Sequence, residues 1–372
     1  MRTLPDKTVH KRHRSRGMSL VELLVASAIG IIASLAIFQV FAVFEGQKRT
    51  TTSGGEAQTS GTLALYTVER DLRQSGYGFN TPDLVGCTLQ GWDQQAGAAL
   101  TPITLSPALI AQGAGSTPGV VGAPDSLTVA YGNADALPAP VTILVGSLGL
   151  TDDFVRIVNA LYGFQPGDHV VIAEGGKPCT LAQVNLTPPD TGDNTRLNLQ
   201  AGTYVSPSSG ATLQTRFNNP AGLGTAYTTS GKVYNIGPTP SIKTFSVQNG
   251  QLVSQTLGAA APTPLFDNIV QLQAQYGKDT NTDGVVDIYD ETAPVTTTDW
   301  NAVLAIRVAV VARSGLYEKD EVSPATIRLW EDSLNPPTTT GPVWTLTSDE
   351  RHYRYKVFNT VIPLRNMLWR PY

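Results

Sequence analysis

Between Leu23 and Phe44 lie 22 residues without a single charge, LLVASAIGIIASLAIFQVFAVF. As a helix at 1.5 Å per residue, that run extends about 33 Å, enough for a hydrocarbon core of ~30 Å. Residues 1–17 ahead of it hold six Lys/Arg (Arg2, Lys7, Lys11, Arg12, Arg14, Arg16) against one acid, Asp6. A basic flank of this kind keeps its end of a membrane helix in the cytoplasm, so the long C-terminal remainder is expected outside the membrane. An ordinary secretory signal has a shorter apolar stretch followed by an A-x-A-like site. Here the run is longer, and Glu45-Gly46-Gln47-Lys48 follows it. A buried core helix fits neither this length nor this flank. A plain signal anchor fits the length.

Glu22 is what a plain anchor leaves unexplained. A carboxylate one turn inside an apolar segment is costly unless paired, which makes it a functional residue by default. The string Arg16-Gly17-Met18-Ser19-Leu20-Val21-Glu22-Leu23 closely resembles the class III signal of type IV prepilins and pseudopilins. The resemblance implies cleavage by a membrane prepilin peptidase between Gly17 and Met18, and methylation of the new N-terminus. Glu22 then becomes the fifth residue of the mature chain, and the helix stays in the product. Met18 stands where Phe is commoner, a departure the family tolerates. The new amine lies four residues before Glu22. In an assembling filament the carboxylate can pair with the amine of a neighbouring subunit, which compensates its charge in a low dielectric and favours one axial register.

Gly54-Gly55 follows a polar stretch, 45–55, and is expected to be a weak point with a bend or melted turn. A second helix is expected from about Glu56 to Ser75. Gly61, Leu65, Val68 and Leu72 form one apolar face, and Gly76-Tyr77-Gly78 ends it. Residues 80–124 read as a long loop carrying Cys87. Short strands follow at Ser126–Tyr131, Val141–Val145, Phe154–Val158, His169–Ala173, Cys179–Val184, Lys232–Ile236 and Ile242–Val247. Asn249-Gly250 suits a type I′ hairpin turn, with a return strand at Leu252–Leu257. Val270–Tyr276 alternates apolar residues with Gln271, Gln273 and Gln275, the pattern of a half-buried strand. Val303–Val311 is more continuously apolar and reads as central, and Tyr353–Pro363 closes the series. Segments 203–228 and 334–344 read as surface loops.

Charged residues make up 15% of the chain, below the usual quarter, with 35 Gly and 25 Pro, which suits many short strands and turns. Beyond residue 17 there remain 20 basic against 29 acidic residues, and no long basic face for nucleic acid is indicated. Cys87 and Cys179, with no CxxC spacing, exclude a Cys-only zinc site. In an oxidising compartment a disulfide is expected, the alternative being two unpaired buried thiols. Asp279-Thr280-Asn281-Thr282-Asp283-Gly284-Val285-Val286-Asp287-Ile288-Tyr289-Asp290 fits a calcium loop. The ligands would be Asp279, Asn281, Asp283, the Val285 carbonyl, Asp287 and Asp290. Asp at the last position, where Glu is expected, and strand-like flanks weaken that reading. Its rival is a solvated, metal-free turn between strands. Beyond the leader only His169 and His352 remain, and no HExxH, G-x-S-x-G or Walker A string occurs, so no enzyme is indicated.

Several strings together resemble one pilin subfamily, the PilW-type minor pilins. They are Gly17–Leu24, Glu69–Gly76, Gly167-Asp168, Tyr234-Asn235-Ile236-Gly237, Tyr276–Asp287 and Leu364-Arg365-Asn366. The resemblance implies an α+β, pilin-like fold. Residues 1–17 are a leader, 18–44 a transmembrane and assembly helix, 45–78 its polar and then amphipathic continuation, and 79–372 a mostly antiparallel β-rich domain. It also implies a structural subunit that helps initiate pilus assembly, with the pilus tip as one place for it. No cofactor is required, with calcium as an option. The partners would be prepilin peptidase, other minor pilins, the major pilin, and the inner membrane through residues 20–44. The chain would be single-pass in the inner membrane, with a cytoplasmic leader and a periplasmic domain, and would enter the pilus on assembly. Two rivals stand beside this: a J-type pseudopilin of type II secretion, and a calcium-dependent binding module at a filament tip.

Overall fold

The computed structural model describes residues 17–79, 81–135, 139–144, 149–158, 162–186, 193–330 and 341–368. The leader residues 1–16 lie outside the described residues, as do Val145 and 334–340. The chain divides into two compact units between Ser53 and Gly54. The first consists of the start of one helix, α1, which runs unbroken from Leu20 to Gln74. Its apolar side chains are exposed, Phe38 and Phe41 at 72% and 69%, and the helix is long and apolar enough to cross a membrane.

The expected melted turn at Gly54-Gly55, with a separate helix beyond it, is not found, since both glycines are helical. Each glycine costs a helix about 1 kcal/mol relative to Ala, too little to break one that packing holds. Beyond Gly55, Ala57, Ala64, Val68 and Leu72 are buried in the main core of the second unit. Gly61 is the closest approach: a Cβ there would collide with the ring of Phe358. The helix ends at Gly76, where φ is +82°.

The second unit is built from three larger sheets. The four-stranded sheet has the order Ile288–Asp290, Ile269–Lys278, Val303–Arg313, Tyr355–Pro363, all antiparallel. Val303–Arg313 is therefore an inner strand, as its continuous apolar run implies. Ile306, Val308, Val310 and Ala312 join the core under α1. Ala309 and Val311 face the other way, into a cluster with Val121, Leu329 and Trp330. The five-stranded sheet runs Thr263–Asp267, Gln251–Thr256, Ser241–Gln248, Ser126–Tyr131, Ala108–Ala111. Its hairpin turns at Asn249 and Gly250, with φ of 52° and 74°, the positive values a type I′ turn demands. The six-stranded sheet runs Ile103–Thr104, Thr88–Gln90, Cys179–Gln183, His169–Ala173, Lys232–Gly237, Val141–Thr142. Its one parallel pairing joins Thr88–Gln90 to Cys179–Gln183.

Three further expectations differ from the structure. Segment 80–124 is not a plain loop: it supplies five short strands between Thr88 and Ala111. These are two to four residues long, too short to show a period: Trp92–Asp93 pairs with Ala98–Ala99 and Thr88–Gln90 with Ile103–Thr104, while Thr88–Gln90 also pairs with distant Cys179–Gln183. Segment 203–228 holds a hairpin, Thr203–Val205 with Thr212–Gln214, and buries Phe217, Asn218 and Tyr227. Strand Ile269–Lys278 is buried on both faces, not half-buried. Gln271 and Gln273 are each only 2% exposed, because the strap 113–125 covers them. Their amides donate to the carbonyls of Gly122 and Ala123, both at 3.0 Å. Glutamine reads as a surface residue in a sequence, yet a backbone laid across its face satisfies it.

Candidate functional site

Gly17 and Met18 precede α1 in non-helical conformation, and Met18 is 65% exposed. The helix begins at Leu20 with a capping box. The Glu22 amide donates to Ser19 Oγ at 3.2 Å, and the Glu22 carboxylate accepts from the Ser19 amide at 3.3 Å. Two of the helix's unpaired N–H groups are satisfied reciprocally in this way. The carboxylate is therefore turned back toward the Gly17-Met18 junction. Its negative charge also sits at the positive end of the helix dipole. The S-x-x-E spacing that announces this box is present in the sequence as Ser19-Leu20-Val21-Glu22.

The calcium-type loop closes on itself. Asp279 accepts from the amides of Thr282 (2.6 Å) and Gly284 (2.8 Å), and Asp283 from that of Val285 (2.8 Å). Asp287 accepts from the Thr280 amide at 2.7 Å, a bond that holds its carboxyl below the usual carboxylate range. The Asn281 amide nitrogen lies 3.2 Å from both Asp283 Oδ2 and Asp287 Oδ1. Asp290 belongs to a strand beyond the loop and pairs with Lys278 Nζ at 2.6 Å. Among the described residues no group of three or more His, Cys, Asp or Glu side chains is placed to hold a metal ion.

Cys87 and Cys179 are joined in a disulfide, Cα–Cα 6.0 Å. The bond ties the segment after α1 to the middle of the six-stranded sheet. His169 is buried against Phe217, with Nδ1 3.3 Å from the Gly237 carbonyl. Burial pushes its pKa down to about 4. His352 stacks on Tyr317 and meets the Glu318 carbonyl at 2.8 Å. Both histidines are thus occupied structurally. A cleft of about 490 Å³ beside His169 is lined by Gln183, Tyr204 and Arg216. There Gln183 bonds the Gly167 carbonyl and the Arg216 amide, so its polar groups serve the fold.

The strings singled out along the chain meet in pairs. Asp168 of Gly167-Asp168 accepts from Asn235 Nδ2 of Tyr234–Gly237 at 2.8 Å. The Asn366 amide of Leu364-Arg365-Asn366 donates to the carbonyls of Gln74 and Ser75, each at 3.0 Å. It thereby satisfies the C-terminal carbonyls of α1, at the end of Glu69–Gly76. These polar contacts knit the second unit together.

One buried carboxylate escaped the sequence reading. Asp125, 1% exposed, accepts from the amides of Gly113 and Ala274, both at 2.9 Å, while its own amide donates to the Leu272 carbonyl at 2.8 Å. It stands in for a strand residue and fastens the strap 113–125 to the edge of Ile269–Lys278. Burial pushes its pKa up to about 6, against the lowering effect of the two amides.

Residues 229–366 match the family model for type IV pilus-assembly protein W. Residues 12–38 match the prokaryotic N-terminal methylation motif. No curated protein and no solved structure matches the chain.

Proposed function

We propose that this chain, a PilW-type prepilin-like pilin, is a minor pilin that helps initiate pilus assembly and sits at the pilus tip. The observation that carries the reading is the start of α1. A non-helical Gly17-Met18 leads into a capped helix whose apolar side chains are exposed. Prepilin peptidase would cut at Gly17-Met18 from a cytoplasmic leader, and Met18 would be methylated. The helix would be stored in the inner membrane with the β-rich domain in the periplasm, then extracted into the filament beside other minor pilins and the major pilin. Glu22, held toward the helix start by Ser19, is preorganised to meet the Met18 amine of a neighbouring subunit. The role is structural, not enzymatic. The rival of similar physics is a J-type pseudopilin of type II secretion.

Two experiments test this. Glu22→Val is expected to leave leader cleavage largely intact and to impair assembly, whereas a bulky replacement of Gly17 blocks cleavage. Normal piliation by Glu22→Val would remove the register role. Deletion of the gene, scored for surface pili and for protein secretion side by side, separates the pilus reading from its secretion rival.

We also propose a weak calcium site at Asp279, Asn281, Asp283, Val285 and Asp287, in the extracellular range of ~10⁻⁴–10⁻³ M. Thr282 and Gly284 adopt the positive φ that such a tight loop requires, 65° and 84°. A carboxylate oxygen that accepts one N–H keeps a lone pair for a cation. The ion pair with Lys278 holds Asp290 away from this set. Calorimetry at millimolar calcium with no heat and no thermal shift would eliminate the site.

A further inference from the structure

Strand Tyr355–Pro363 is the outer strand of the four-stranded sheet, paired along all nine residues with Val303–Arg313. Two bonds at its ends fix the phase of the ladder. The Leu364 amide donates to the Leu304 carbonyl at 2.9 Å, and the Arg354 carbonyl accepts from the Ser314 amide at 2.8 Å. Even-numbered residues therefore bond inward. Tyr355, Val357, Asn359 and Val361 turn their amides and carbonyls outward, and none of these has a backbone partner among the described residues. The Asn359 side chain reaches the Leu329 carbonyl at 2.9 Å. Val361 is 48% exposed.

Exposed edges are a hazard that proteins manage by shortening, covering or interrupting them. Among the described residues, the other edges of the three larger sheets are managed. Ile103–Thr104 and Val141–Thr142 are two residues long, and Ile288–Asp290 is three. Ala108–Ala111 spends its Ile110 amide on the Tyr276 hydroxyl at 2.7 Å. Thr263–Asp267 contains Pro264 and breaks register at Leu252/Val253. Beyond Ile288–Asp290, the exposed side of Ile269–Lys278 is filled by Asp125. Among the described residues, only Tyr355–Pro363 is long, regular and without a partner on its outer side. It is also rigid, with Phe358 packed against Gly61 and Ile362 buried.

We propose that Tyr355–Pro363 is a docking edge that receives an extended strand from a neighbouring pilin subunit of different sequence. The inference rests on the pilin reading above. A second copy of this chain is the wrong occupant if it pairs antiparallel through the same edge or through another of its described edges. Antiparallel pairing of the same edge in two copies would run their Gly54–Gln74 helical segments in opposite directions, and two chains anchored by α1 in one membrane require the same direction. Pairing with a different edge of a second copy finds those edges short, covered or interrupted. The incoming strand needs free amides over at least four or five residues. It needs apolar side chains beside Val357 and Val361, since Val357 borders the cluster of Val311 and Trp330. A polar or acidic residue suits the position beside exposed Lys356. This is β-strand addition, in which main-chain bonds give affinity and alternate side chains give specificity.

The test uses the full-length chain in detergent, purified alone and after co-expression with the other minor pilins of its own pilus. Amide hydrogen exchange is then read residue by residue. In the complex the amides of Tyr355, Val357, Asn359 and Val361 are expected to slow by about a hundredfold or more, while the inward amides of Phe358 and Thr360 are protected in both samples. Co-purification with unchanged outward amides overturns the docking edge and leaves the pilin reading standing. Absence of any co-purifying pilin overturns the initiation role, and the edge with it. Val361→Pro removes one outward amide and spares the ladder. It is expected to cut recovery of the partner at least roughly tenfold with an unaltered melting temperature. Thr360→Pro, which removes an inward amide, is the folding control.

Discussion

At the scale of single residues, two carboxylates do unlike work in this chain. Glu22 is exposed at the start of α1, where its carboxylate accepts from the Ser19 amide. Asp125 is buried and acts through its shape, as a surrogate strand residue that holds the strap 113–125 in place. The raised pKa of Asp125, about 6 against 3.8, has a signed consequence. Between those values the folded state keeps the proton and the unfolded chain has lost it. Stability from this group is therefore full below pH ~4 and is lost as pH rises through ~6. The size is about 2–3 kcal/mol at roughly 1.4 kcal/mol per unit. Raised Glu291 acts in the same sense. His169, buried neutral, acts in the opposite sense over the same window. The clean measurement is thus a difference: the stability gap between the native chain and Asp125→Asn should widen as pH falls from 7 to 5. A gap independent of pH would contradict the assigned pKa. At any pH Asp125→Asn should cost roughly 1–3 kcal/mol, since its amide turns a donor toward one of two backbone donors.

At the scale of elements, α1 shows how packing overrides propensity. Gly54 and Gly55 sit in a continuous helix with nothing within 4 Å of a Cβ at either position. Both helical backbones accept Ala without strain. Gly54→Ala and Gly55→Ala should each stabilise the helix by about 1 kcal/mol, seen as raised helicity and a higher melting temperature. A loss of helicity would mean that the glycines hold a bend. The ends of the same helix are fixed by side chains far apart in sequence. The Ser19–Glu22 box sets its start, and Asn366 binds the Gln74 and Ser75 carbonyls at its end. The C-terminal string so conspicuous in the sequence is thus an anchor for the N-terminal helix.

At the scale of the whole molecule, the second unit is fastened by long-range links more than by local ones. The Cys87–Cys179 disulfide spans 92 residues and joins the small strands after α1 to the six-stranded sheet. In the chain-entropy model a loop of that length is worth roughly 4–5 kcal/mol. Cys87→Ser with Cys179→Ser, or reduction, should lower the unfolding free energy by about that amount in denaturant titration, with little change in the helical signal. Equal midpoints with and without reductant would show that the crosslink adds nothing. Asp71, buried on α1 and paired with Lys243 at 3.2 Å, supplies a second long-range tie, between the helix and the five-stranded sheet.

Much of this was legible from the sequence, and the reason is physical. A charge-free run of 22 residues, a basic flank and one internal carboxylate determined an apolar helix, because hydrophobicity and charge act locally and need no partner to be read. The Asn249-Gly250 turn likewise determined the hairpin, and a continuous apolar run the inner strand Val303–Arg313. Tertiary structure alone decided the rest. The sequence could not show that a strap would bury Gln271 and Gln273, that Asp125 would replace a strand, or that segment 80–124 would break into paired strands. Nor could it show that α1 would stay helical through two glycines. Each of these depends on which distant backbone meets which group. The open edge at Tyr355–Pro363 is of the same kind, since a strand is an edge only when the finished sheet leaves one side of it unpaired.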